Sequence, residues 1–280
     1  MLYPFLAVLF DVVTLITTKR LFRRFGVLTY RSFAVWLFIW IIAIGLILFP
    51  WFASIQPAAI EPKYLWLLLA VAFLAANYNL LYYFSLEREK ITAIEPFLLV
   101  SPIVTILIAG LFYASERSWH VYVAAGVAGL VLAWLHLKRH RRLKLNFSII
   151  ALVGFAVLYG LEAVVLKQLL VVYSPLAMYL VRAIITAIFL LVLERGRLVR
   201  LTPRQIPYFL LIAGAAVAAS TAIYSAYREV GISLTIFILL LSPIMVYLLS
   251  ALWLKEKLTW KNLLASGVII GLVIWLAIAR

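Results

Sequence analysis

The sequence predicts an all-α polytopic membrane protein of ten transmembrane helices, arranged as two inverted five-helix repeats. Three observations carry this. The hydrophobic set makes up 67% of the 280 residues, whereas an ordinary soluble domain stays at or below roughly half. Ten apolar stretches approach the about 20 residues needed to cross a hydrocarbon core of about 30 Å. The chain also matches itself at an offset of 141 residues without a gap. Tyr83 falls on Tyr224, Ile91 on Ile232, Ser101-Pro102-Ile103 on Ser242-Pro243-Ile244, Trp119 on Trp260 and Gly126 on Gly267. A half-length repeat in so apolar a chain is one helical unit written twice.

The first five spans, 2–18, 32–53, 64–86, 91–113 and 119–137, form a repeat over 1–140. The first carries Asp11. It lacks the basic start of a signal peptide, and its basic run, Lys19, Arg20, Arg23 and Arg24, follows the apolar stretch, so it reads as a retained helix. The third ends in a polar row of Asn77, Tyr78, Asn79, Tyr82 and Tyr83. The fourth contains Glu95-Pro96 and Ser101-Pro102, and the fifth Gly126 and Gly129. The remaining spans, 148–167, 175–193, 207–227, 232–254 and 260–279, form a second repeat over 146–280. They carry Tyr159 and Glu162, then Arg182, then Ser220, Thr221, Tyr224, Ser225 and Tyr227, then Ser242-Pro243, and last Gly267 and Gly271.

The charges set the expected orientation. All but six of the 25 basic residues fall in alternate links, those after spans one, three, five, seven and nine; the six are Lys63, Arg117, Lys167, Arg182, Arg228 and Arg280. Basic loops stay in the cytoplasm, which predicts both termini outside the cell membrane. Five spans per repeat then force the repeats to run in opposite directions. Secondary transporters share that design and place their site between the halves near the midplane.

Composition excludes other classes. A net charge of +15 would suggest nucleic acid in a soluble protein, but here the charge lies in short links beside anionic lipid. There is no cysteine, and His120, His136 and His140 sit at span ends without clustering, so no metal or other cofactor is expected. No phosphate-binding G-x-x-x-x-G-K-[ST] sequence occurs, so ATP does not drive the chain. No nucleophile, base and orienting group can be assembled, so an enzyme is not expected.

Tyr159-Gly160, Lys167, Ser174-Pro175, Arg182, Ser242-Pro243, Glu256-Lys257-Leu258-Thr259 and Gly267 follow one another in an order that resembles the repeat of the drug/metabolite transporter superfamily, EamA type. The first repeat departs from it in a shortened turn, Glu116-Arg117-Ser118-Trp119. Asp11 followed eight residues later by Lys19 is similar to the first helix of the small multidrug resistance transporters, whose membrane glutamate binds protons and substrate in turn. Many ten-helix relatives keep both termini in the cytoplasm; the charge distribution here argues the reverse and is followed.

The resemblance implies a multi-pass protein of the cell (inner) membrane that exports a small metabolite, amino acid or organic cation, in exchange for protons or another coupling ion. Two rival readings are a lipid-carrier or polyisoprenyl-phosphate-sugar flippase and a non-transporting accessory subunit. Asp11, Glu162 and Glu95 are the expected coupling acids, since an ionised group facing hydrocarbon costs about 2.5 to 3.5 kcal/mol and must find a cavity, a partner or a proton. Asp11 could instead pair with Lys19, Glu95 belong to a solvated helix end, and Glu162 pair with Arg182. Arg182 lies about 12 Å along its helix, as a packing or anion-binding group. Lys19 and Lys167, nearer helix ends, are expected to snorkel.

Asn77, Tyr78, Asn79, Tyr82, Tyr83, Tyr159, Ser220, Tyr224 and Tyr227, with Arg182, are the expected substrate-binding set. The rows on spans three and eight would face each other across one cleft, or serve interhelical hydrogen bonding instead. Pro102 and Pro243 are the expected hinges. Gly126, Gly129, Gly267 and Gly271 are expected to pack inside the monomer, a homodimer contact being the alternative.

Overall fold

A computed structural model describes residues 2–25, 29–88, 91–137, 147–195, 198–242, 245 and 260–278. The helices are α1 (Leu2–Arg24), α2 (Tyr30–Phe52), α3 (Pro62–Arg88), α4 (Ile91–Phe112), α5 (Trp119–Leu137), α6 (Phe147–Leu169), α7 (Pro175–Glu194), α8 (Ile206–Glu229), α9 (Ile232–Leu239) and α10 (Trp260–Ile278). They match the ten expected spans, with two differences of extent. α1 continues through its basic run to Arg24, and the described part of the ninth span is shorter than the apolar stretch.

Starts follow local chemistry. Thr29 caps α2 by accepting a hydrogen bond from the Ser32 amide. Proline stands in the first turn of α7 and α8, where its missing N–H leaves no helical bond unmade.

The protein is a multi-pass membrane protein. Five described helices, α2, α3, α6, α7 and α8, are long and apolar enough to cross a bilayer; α4, α5 and α10 contribute the shorter apolar runs Val100–Phe112, Trp119–Val131 and Ser266–Leu276. Trp51, Trp66, Trp119 and Trp260 stand at helix ends and are each more than 70% exposed. In water that would be costly; at a bilayer interface it suits an amphipathic ring.

Most of the larger helix contacts recur when each helix is shifted by five. α1 packs on α8 and α3 on α6; α2 packs on α8 and α3 on α7; α2 meets α7, α4 meets α9 and α5 meets α10. At Gly160 of α6 a Cβ would lie 3.2 Å from the Cα of Thr105, so α4 and α6 approach nearly backbone to backbone there. Gly129 likewise sits against Ile103 of α4. Gly126, Gly267 and Gly271 correct an expectation. Among the described residues a Cβ at any of them would meet nothing within 4 Å, so no described side chain packs against α5 or α10 at these positions.

The links sort to two ends of the bundle. At one, Ser54 and Gln56 bond to Ser174 and Val172, tying the α2–α3 link to the α6–α7 link. At the other, Lys19 donates to the Leu86 carbonyl at 2.9 Å, Arg24 to the Tyr208 hydroxyl at 2.8 Å, and Trp36 to the Val199 carbonyl at 2.9 Å. The described parts of the basic links after α1, α3 and α7 lie at this second end.

A clamp closes the first end. Glu116, between α4 and α5, is buried, and its carboxylate accepts from Lys167 Nζ of α6. It also accepts the amides of Ile232 (3.0 Å) and Ser233 (2.8 Å) in the first turn of α9. Lys167 is therefore tethered rather than snorkelling, with its ammonium 4.9 Å from the Tyr113 ring centre. Burial pushes the Glu116 carboxyl up, but Lys167 and the two amides outweigh it and hold the group below the usual glutamate range.

The sign follows: the clamp contributes fully above the ordinary glutamate pKa and is lost as pH falls through the depressed value. Gly231, at φ 88°, makes room, since a Cβ there would lie 2.8 Å from Glu116 Oε1. Gly231→Ala is expected to cost about 1 to 3 kcal/mol of stability through backbone strain alone. In detergent melts, Glu116→Gln should flatten the acid limb of the wild-type curve. Unchanged melting of the alanine variant would show the clamp to be unimportant.

Candidate functional site

Aromatic and charged side chains from five helices converge midway along the bundle. α6 and α7 supply its buried ion pair, in which Arg182 Nη1 meets Glu162 Oε1. Both residues are at most 5% exposed. α8 adds Tyr224, whose hydroxyl accepts from the same Nη1 at 2.7 Å, and α3 adds Tyr78, beside Glu162. The guanidinium carbon stands 5.2 Å from the ring centre of Tyr179, one turn earlier on α7, and 6.0 Å from that of Tyr224. Arg182 Nε is buried with no hydrogen-bond partner among the described residues.

The expected rows on α3 and α8 thus meet by a different route from a direct face-off. α3 lies on α6 and α7, and α8 on α1, α2 and α7, so Tyr78 and Tyr224 come together through Glu162 and Arg182. Ser220 lies beside Tyr179, and Tyr227 stacks on Tyr224 at 6.3 Å and lies near Tyr159. Tyr83 is buried edge-on against Phe33 and Tyr82. Asn77 and Asn79 turn back on α3 instead, donating to the Phe73 and Ala75 carbonyls at 2.8 Å.

Asp11 behaves differently from the other charges. It is exposed although it lies midway along α1 and faces the protein: Ser242 is beside it, and its charge reaches Tyr82 of α3 and Tyr159 of α6. Accessible yet flanked by α3 and α6, it stands at a recess between helices. It forms no ion pair among the described residues, and Lys19, the partner its spacing offered, bonds to the Leu86 carbonyl. Phe155 stands between Tyr82 (5.4 Å) and Tyr159 (5.7 Å), completing an aromatic wall whose three rings are half-buried.

Of the other expected residues, Glu95 lies on α4, and its side chain falls outside the described part of the chain. Pro102 is built into α4, which runs on through it, and Pro243 is outside the described residues. Sequence reasoning passed over Phe155, Tyr179 and the role of Glu116. Tyr179 stands three residues before Arg182, and Phe155 four before Tyr159, so helical spacing alone places each beside an expected residue.

Residues 146–278 match the sequence profile of the EamA-like transporter family. One solved crystal structure superposes on 97% of this chain and 94% of its own with a TM-score of 0.75, at 14% identity, a likeness of fold. No curated protein matches the sequence.

Proposed function

We propose, from the match of residues 146–278 to the EamA-like transporter family, that this chain is a secondary active transporter exporting a small metabolite, amino acid or organic cation in exchange for protons. One observation carries the reading: Asp11 is an exposed acid midway along a helix of an apolar bundle, with Tyr82 and Tyr159 near it. A carboxylate placed there can hold a proton or a positively charged solute, but not both, which is the elementary requirement of exchange.

The halves, 1–140 and 146–280, are read as inverted repeats. The recurrence of most of the larger helix contacts under a shift of five supports a twofold relation between them. The basic links at one end support a cytoplasmic assignment for that end, with both termini outside. Tyr78, Tyr159, Tyr224 and Tyr227 would form the deeper wall of the site. Glu162 serves as the counter-charge of Arg182 rather than as a second coupling acid, and Pro102 and Pro243 would be hinge points. The engagement of Arg182 by Glu162 weighs against a flippase for phosphate-linked lipids, which would need that cation free.

Flux in liposomes tests the proposal. With an inward proton gradient imposed, at least one member of a panel of amino acids, amines and quaternary ammonium compounds should move, and a proton ionophore should abolish the movement. If no panel member moves and none raises the melting temperature, the reading fails.

A further inference from the structure

The recess and its wall hold three formal charges in the described residues: Asp11, Glu162 and Arg182. Two of them cancel, because Glu162 and Arg182 are buried in direct contact. Lys19 and Lys167, the nearest other cations on α1 and α6, are held at the helix ends by the Leu86 carbonyl and by Glu116. We infer that the Glu162–Arg182 pair selects the sign of the solute's charge: by cancelling Arg182, Glu162 leaves Asp11 as the net charge of the recess, which then accepts organic monocations and refuses anions. The inference rests on the transport reading above.

Two further observations support it. Tyr159 is the shared wall between the two charge sites: it feels Asp11 on one side and Glu162 with Arg182 on the other. Tyr82, Phe155 and Tyr159 give the Asp11 side the ring faces that attract a desolvated cation. Behind that wall, Arg182 is a latent anion site. Among the described residues its Nε lacks a partner and Glu162 alone offsets its charge. Selectivity by sign is then a matter of like-charge exclusion in an enclosed site.

The test compares phenyltrimethylammonium with benzoate, probes of similar size and opposite charge, by thermal shift and by liposome flux on the full chain. Wild-type protein should favour the cation by roughly tenfold or more. E162Q/R182Q, which keeps the net charge, should retain that preference. D11N/E162Q, which makes the recess net positive, should reverse it toward benzoate.

Loss of the preference in E162Q/R182Q overturns the inference, as does a folded D11N/E162Q that still prefers the cation. If D11N/E162Q does not fold, E162Q/R182Q decides alone. A wild-type protein that moves a panel solute yet takes benzoate as readily as the cation, or takes neither probe, overturns the charge inference and spares the transport reading. One that moves no solute at all sinks the transport reading instead.

Discussion

Arg182→Met is expected to destabilise the protein by about 3 to 5 kcal/mol, the usual cost of stranding one member of a buried ion pair. Glu162, 2% exposed, would lose its ion-pair partner, and the Tyr224 hydroxyl would lose its 2.7 Å donor. The matching Glu162→Leu/Arg182→Met variant should recover most of that loss, because an apolar replacement of the whole pair removes both desolvation penalties together. Equilibrium unfolding in mixed micelles reads both. A single variant that melts like wild type would mean that the pair is solvated or already broken in the membrane.

Asp11→Asn acts on function and leaves stability nearly untouched. The side chain is exposed, so the change in stability should stay within about 0.5 kcal/mol. Proton-driven flux, by contrast, should fall at least about tenfold, the factor that loss of about 1.4 kcal/mol of solute or proton binding represents. Facilitated movement down a solute gradient, measured without a pH difference, should persist in part, since the aromatic wall is intact. Full proton-driven flux in a folded Asp11→Asn protein would remove Asp11 from the mechanism.

The fold was largely readable from the chain because a bilayer imposes a single length scale. About 20 apolar residues per crossing, interrupted by basic links, leave few ways to divide this sequence. The repeat register also anticipated which polar residues would be neighbours on α3 and α8. The chain could not tell how those rows are joined. Glu162 and Arg182 are 20 positions apart on separate helices, and Tyr78 and Tyr224 are further still, so their meeting depends on how α6 and α7 rotate against the rest.

Glu116 was hidden for a related reason. Its partners, Lys167 and the α9 amides, are far away in sequence, and a surface turn offers no periodicity from which to infer a buried carboxylate. Gly267 and Gly271 show the opposite error. A spacing that permits close packing does not require a partner to be present.

The clamp at Glu116 and the pairings of α1 with α8 and of α3 with α6 have one more implication. The profile match begins at residue 146, yet much of the surface that α6 and α8 bury is supplied by residues before that point. The matched stretch is therefore not self-contained in its packing. Released from its counterpart, either half would turn toward lipid the flanks meant for its twin, and Lys167 would be left holding nothing.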